Sequence, residues 1–150
     1  DNLKWGNKDV TMPEIEKALK ASLSDEIVEK LNAGLNSEVG QAGTNLSGGQ
    51  KQRISLARAL LRNPKILIID DALSAIDTIN EVKIRVNLSK YYPDLSVIMV
   101  SQRISAIKNA DHILVLHEGK INGEGNHETL LTSNEIYKDI YETQLKGAKA

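Results

Sequence analysis

Cysteine is absent from this sequence, and so is phenylalanine. Without thiols there is neither a disulfide framework nor a thiolate metal site, and three histidines alone are a thin basis for a zinc centre. One Trp and four Tyr are the only aromatics, so a core has to be built from Ile, Leu, Val and Ala. Long apolar runs are missing too. Ile66–Ile69, Val97–Val100 and Ile113–Leu116 are the longest, at four residues each, against the roughly 20 that a bilayer span needs. Charge of one sign is not in excess: 19 Lys+Arg oppose 20 Asp+Glu, a net −1. That balance removes the electrostatic case for a nucleic-acid partner. The polar stretch from Asp1 has no signal-peptide features, and no 20–50-residue repeat or low-complexity tract is visible. What remains, 41% hydrophobic and 26% charged over 150 residues, is the composition of one soluble globular domain.

The first half reads as helical. Thr11-Met12-Pro13-Glu14 fits a capping box, with Thr11 as N-cap, Glu14 at N3 and Pro13 tolerated in the first turn. Ile15, Ala18, Leu19 and Ser22 follow at helical spacing. Ser24 is a candidate cap for a second short helix, Asp25 to Leu31. Asn32 to Gly49, rich in Gly, Asn and Ser, reads as loop. A helix from about Gln50 to Arg62 follows, with Ile54, Ala57 and Leu61 on one face and Asn63-Pro64 as its stop.

The period then changes. Lys65 to Asp70 is a β-branched run ending in acid, the pattern of a strand buried on both faces. A helix from about Asn80 to Lys90 precedes a second such strand, Ser96 to Ser101. His112 to His117 makes a third, Glu118-Gly119-Lys120 a hairpin-type turn into Ile121–Glu124, and Asn134 to Leu145 an amphipathic helix. This alternation implies an α/β domain with a mostly parallel sheet and flanking helices, whose ligands collect at the carboxyl ends of the strands.

Two places could carry chemistry. Asp70 and Asp71 end the first strand, as suits a Mg²⁺–nucleotide site, although acids also end strands simply where the chain meets water. Leu46-Ser47-Gly48-Gly49-Gln50 precedes a helix. Its glycines permit close approach of a phosphate to free N–H donors, and a plain turn capped by Ser47 uses the same parts.

The combination is less generic than either. Leu46 to Arg53, Ala57-Arg58-Ala59-Leu60, Ile66 to Asp70 and Ser74-Ala75-Ile76-Asp77 occur in order over about thirty residues. Together they resemble the nucleotide-binding domain of ABC transporters, where they correspond to the signature motif, its helix, the Walker B strand and the D-loop. Ser37 to Gly43 looks like the X-loop of exporter-type members, and Ala110 to Leu116, Glu118 to Lys120 and Gly125 to Leu131 are similar to the family's C-terminal end. The resemblance implies a P-loop NTPase-type (ABC ATPase) fold. It divides the chain into a helical signature subdomain over about residues 10–62 and a Walker B, D-loop, switch-loop and C-terminal part over about 63–150. It also implies ATP and Mg²⁺ as ligands, and a place at the cytoplasmic face of the cell membrane.

By that resemblance Leu46, Ser47, Gly48, Gly49 and Gln50 contact the ATP phosphate of a partner's site. Asp70 holds Mg²⁺ through water. Ser74, Ala75 and Asp77 meet an opposing ATPase domain, and Glu38 and Gly40, in the Glu38–Gly43 region, meet the transmembrane domain of an exporter. No G-x-x-x-x-G-K-[ST] occurs in the sequence, so the Walker A loop is missing from it, as is the Q-loop. Asn2-Leu3-Lys4-Trp5-Gly6 resembles the stretch just after a Q-loop. The expectation is therefore an incomplete domain, inactive alone.

Two departures from the family pattern stand out. Asp71 occupies the place of the usual catalytic Glu and is shorter by about 1.5 Å of reach. Gln102 occupies that of the switch His and cannot change charge near pH 7. Both together resemble the degenerate-site subunit of a heterodimeric multidrug-type exporter. A chromosome-maintenance ATPase lobe is the alternative, disfavoured because Asn2–Asn32 shows no sustained heptads. A non-enzymatic binding module acting in trans is a third reading. The transported substrate is not encoded in these residues.

Overall fold

The computed structural model describes residues 2–5 and 7–147; Gly6, the last residue of the stretch likened to the one just after a Q-loop, lies outside them. The chain divides into two compact units, Asp1–Val100 and Ser101–Ala150.

In the first unit, helix α1 (Met12–Ala21) starts where the sequence expected it. Thr11 is the N-cap, and the Glu14 carboxylate accepts from both the Thr11 N–H and the Thr11 hydroxyl at 2.7 Å. Those bonds, the backbone one first, hold the Glu14 carboxyl below its ordinary value. The C-terminus closes by a paired motif in which Ser24 N–H donates to Leu19 O (2.8 Å) and Leu23 N–H to Lys20 O (3.3 Å). Leu23 therefore sits at φ +56, where glycine is usual, at a cost of about 1–2 kcal/mol. Burial of its side chain offsets that cost, and its carbonyl accepts from Arg53 Nη1 at 2.9 Å.

Helix α2 (Asp25–Glu29) is shorter than expected, and Ser24 does not cap it through its side chain. The Ser24 hydroxyl instead accepts from Ser22 Oγ at 2.8 Å, both residues being fully buried. Helix α3 (Gly48–Leu60) begins two residues before the expected Gln50, so that both glycines lie inside it. Its buried face is Leu56, Ala57 and Leu60, with Leu61 beyond its end, whereas Ile54 is only half-buried. Asn63 at φ +49, then Pro64, ends the segment.

Strands β1 (Ile66–Asp70) and β2 (Ser96–Val100) pair in parallel, Ile66 opposite Ser96 and Asp70 opposite Val100, with helix α4 (Thr78–Tyr91) as the crossover. Leu67 and Ile69 point into the core with Ile15, Leu19, Leu56 and Leu60. The expectation of burial on both faces is not met. Ile66, Ile68, Ile98 and Val100, which share the other face, are all more than half exposed. Composition alone cannot say which face of an all-apolar strand the remaining elements cover, and here only one is covered by the described residues.

The second unit contains α5 (Ile104–Ile107), β3 (Ile113–His117), β4 (Lys120–Gly125), α6 (His127–Ser133) and α7 (Glu135–Gly147). The third strand pairs antiparallel with β4 as a separate two-stranded sheet, so the parallel sheet consists of β1 and β2 among the described residues. The hairpin turns on Glu118 (φ +49) and Gly119 (φ +74), a two-residue loop whose twist suits the strands. A bulge between Val115 and Leu116 leaves Asn122 unpaired in the ladder. Asn122 is recruited by buried Asn134, whose Nδ2 donates to Asn122 Oδ1 (2.8 Å) and whose Oδ1 accepts from Tyr137 N–H (2.9 Å).

Candidate nucleotide-contact site

The signature segment is the best-built part of the candidate site. Ser47 is an N-cap in extended conformation. Its hydroxyl accepts from Gln50 N–H (3.2 Å), and the Gln50 side chain accepts from Ser47 N–H (2.8 Å), a reciprocal capping box. That pairing fixes the first turn of α3 and leaves the Gly48 and Gly49 N–H groups without intrahelical acceptors, at the positive end of the helix dipole. Leu46 and Gln50 are half-buried; Ser47 and Gly48 are exposed.

The two glycines differ in what surrounds them. A Cβ on Gly48 would lie 3.5 Å from the Ala75 Cβ, an ordinary contact, so the fold itself does not demand glycine there. A Cβ on Gly49 would lie 2.9 Å from the Ala75 carbonyl oxygen. Gly49 is thus fixed by the turn after β1 as well.

That turn carries the other candidate residues. Asp70 and Asp71 are both exposed at the carboxyl end of β1. Asp71 has φ +49, a left-handed conformation that Asp tolerates better than most residues, and its N–H extends the strand pairing by donating to Val100 O at 3.1 Å. Bonds from Ser74 N–H to Asp71 O (3.1 Å) and Ile76 N–H to Leu73 O (3.0 Å) then wind the chain back toward α3. Ser74 and Ala75 are held to the signature helix by Gln52, which donates to Ser74 Oγ (3.3 Å) and accepts from Ala75 N–H (3.0 Å). Asp77 caps α4: its carboxylate accepts from the Asn80 N–H (3.0 Å) and side chain (2.7 Å). These bonds, the backbone one first, lower its carboxyl below the usual range. The structure therefore brings Ser47, Gly48, Gly49, Ser74 and Ala75 together, with Asp70 and Asp71 at the start of the same turn.

Glu38 and Gly40 lie in a separate loop folded on Asn45, whose side chain donates to Glu38 O and accepts from Gly40 N–H, each at 3.0 Å. Ala42 (φ +55) and Gly43 (φ +66) reverse its direction. The Glu38 side chain is exposed.

Gln102 belongs to the second unit. Its side chain is exposed, and its carbonyl accepts from Gln144 Nε2 at 2.7 Å while Gln144 Oε1 accepts from Ile104 N–H at 2.9 Å. One amide on α7 thereby holds the loop after β2. Neither Gln52 nor Gln144 was singled out in the sequence, because their partners lie 22 and 42 residues away and no local pattern marks them. Arg53 is mostly buried. It ties α3 to the end of α1 through Leu23 O and pairs with Glu26 at 3.6 Å. His127 is a packing residue: its Nδ1 lies 2.7 Å from Tyr137 Oη, and both Tyr137 and Tyr141 meet its ring edge-on.

A helix start with two glycine N–H groups and a serine hydroxyl suits a phosphate. Among the described residues no three His, Asp or Glu side chains cluster to hold a metal. A single strand-end carboxylate instead suits Mg²⁺ held mainly by phosphates and water.

Comparison with known proteins agrees. The family model for the ABC transporter matches residues 5–74. The ATP-dependent lipid A-core flippase of Pasteurella multocida is 44% identical over 146 residues, 97% of this chain and 25% of that protein. A protein of Rickettsia conorii named as an export ATP-binding/permease protein is 42% identical over 144 residues, 96% of this chain and 25% of its own length. Among solved structures, that of a bacterial Atm1-family ABC exporter with ATP bound superposes with a TM-score of 0.90 at 34% identity, covering 95% of this chain and 25% of that one. The chain spans about a quarter of the length of these relatives. Fold and sequence together place it: these residues have the ABC ATPase fold and are part of an ABC transporter ATP-binding domain.

Proposed function

We propose that this segment works as the energy-coupling part of an exporter in which two ATPase domains enclose ATP head to tail. It supplies an intact signature to its partner's site and a weakened strand-end and switch pair, Asp71 and Gln102, to its own. The observation that carries this reading is the contrast between the two: a fully capped signature turn with both glycines in place, beside an Asp where a longer acid would reach the attacking water. When bound, ATP and its Mg²⁺ supply the phosphoanhydride to be cleaved. Ser47 and the Gly48 and Gly49 N–H groups bind the terminal phosphate of the partner's nucleotide, Asp70 orients the metal's water shell, and Ser74, Ala75 and Asp77 contact the opposing domain. Glu38 and Gly40 present a polar loop to the transmembrane domain at the cytoplasmic face. The partner domain is a different subunit. The 150 residues alone bind Mg-ATP weakly, since the sequence contains no phosphate loop of the Walker A kind.

The test is made in the complete heterodimer. Ser47→Arg or Gly48→Asp lowers ATP turnover by at least about 10²-fold, the scale of a lost phosphate-stabilising donor set. Asp71→Asn changes it by less than about threefold, because a site whose base is already out of reach has little left to lose. Equal losses from the two substitutions refute the asymmetric assignment.

A further inference from the structure

We infer that Gln52 is a positioning residue that makes the signature turn and the turn after β1 move as one piece. The inference rests on the reading above, in which those two turns touch nucleotide and opposing domain respectively. One amide spans them, donating to Ser74 Oγ and accepting from Ala75 N–H. Gly49 meets the Ala75 carbonyl on the adjoining side, so close that no side chain fits between. Ala75 is therefore held on both sides, its N–H by a hydrogen bond to Gln52 and its carbonyl by close packing against Gly49. Gln52 is half-buried and lies one turn further along α3 on the same face as Gly48 and Gly49, and its amide is engaged by Ser74 and Ala75, through which it acts on the signature turn. Displacing Ser74–Ala75 toward an opposing domain pulls the start of α3 with it, and a phosphate drawn onto Ser47 and Gly48 sets Ser74–Asp77 in place. Binding of nucleotide and engagement of the partner become one event.

The test uses the complete exporter. Gln52→Leu keeps size and helix preference but removes both bonds. Gln52→Glu keeps both, since a carboxylate accepts from Ala75 N–H and the Ser74 hydroxyl can turn to donate. Ser74→Ala removes one. Gln52→Leu is expected to lower kcat about ten- to thirtyfold, the scale of two hydrogen bonds of ordinary net strength. The KM for ATP and the thermal midpoint should stay close to wild type, Ser74→Ala should fall between, and Gln52→Glu should restore turnover. Ser47→Arg, run alongside, tests the underlying reading by itself. If Ser47→Arg abolishes turnover and Gln52→Leu leaves it unchanged, the coupling is wrong and the sandwich stands. If Ser47→Arg is active, the sandwich reading fails. A loss in Gln52→Leu that is shared by Gln52→Glu, or that disappears when turnover is counted per folded molecule, also overturns the inference.

Discussion

The signature turn of the first unit and the Gln102 loop of the second are held by different means. Residues up to Val100 share one core in which Leu19, Leu56, Leu60, Leu67, Ile69 and Ile84 interlock, and the signature turn is fixed because α3 is fixed. Residues from Ser101 have a much smaller cluster, Ile104, Ile113, Val115, Leu130 and Tyr137. There, side-chain amides set the geometry: Gln144 holds the loop bearing Gln102, and Asn134 holds the bulged Asn122 to the start of α7. Packing is stiff and tolerates little change of volume, whereas amide bridges are directional and can be untied one at a time. On the function proposed above, a phosphate-contacting turn gains from the first kind of support, and a loop whose position responds to the state of the site gains from the second.

Substitutions at the two kinds of support break this contrast or sharpen it. Leu60, 1% exposed, carries the largest expected effect. Leu60→Ala should cost about 2–5 kcal/mol of unfolding free energy through lost contact and an unfilled cavity. Asn134→Ala should cost about 1–3 kcal/mol, the scale of leaving buried donors and acceptors without partners. Denaturant unfolding followed for each variant measures both. If Asn134→Ala proves as costly as Leu60→Ala, the second unit is not held more lightly than the first.

Within the first unit, adjacent glycines provide a finer comparison. Ala in place of Gly is favourable inside a helix by up to about 1 kcal/mol. Gly48→Ala meets only the Ala75 Cβ at 3.5 Å and should leave stability unchanged or raise it. Gly49→Ala places its Cβ against the Ala75 carbonyl at 2.9 Å, where backbone must give way, and should destabilise by about 1–3 kcal/mol. Opposite signs for neighbouring, chemically identical substitutions would show that the D-loop turn, and not ligand room alone, dictates the second glycine. Equal effects would remove that distinction.

The parts readable in the sequence share one property, short range. The Thr11–Glu14 cap, the Ser47 turn, the Glu118-Gly119 hairpin and the β1 and β2 strands are all specified within a few residues, and the structure places each where expected. What escaped was long-range and polar. Nothing in Gln50-Lys51-Gln52-Arg53 says that Gln52 grips a turn 22 residues on or that Arg53 reaches back 30 residues to Leu23. Strand faces failed for a related reason. In Ile66-Leu67-Ile68-Ile69 every position is apolar, so the pattern cannot distinguish the covered pair Leu67 and Ile69 from the exposed pair Ile66 and Ile68. The order of the motifs was legible, but their mutual grip was not.

Asp77 gives the smallest expected effect and the sharpest test of how a capping residue serves a contact surface. Its carboxyl is lowered in the folded chain by bonds from Asn80, so the cap contributes fully above the ordinary Asp value, about 3.9, and is lost as pH falls through the lower folded value. Wild type should therefore exceed Asp77→Ala in unfolding midpoint by a constant margin from neutral pH down to about pH 5, and the margin should shrink below it. Glu14, lowered likewise by Thr11, titrates in both proteins and cancels from the difference. Asp77→Asn retains an oxygen acceptor for the Asn80 N–H without a titrating proton, so its midpoint should track wild type near neutrality and carry no such acid step. A margin that persists unchanged into strong acid would mean that Asp77 stabilises α4 by something other than its charge. The carboxylate would then be free of the helix that now positions it, and its place in a contact with an opposing domain would have to be argued from the turn alone.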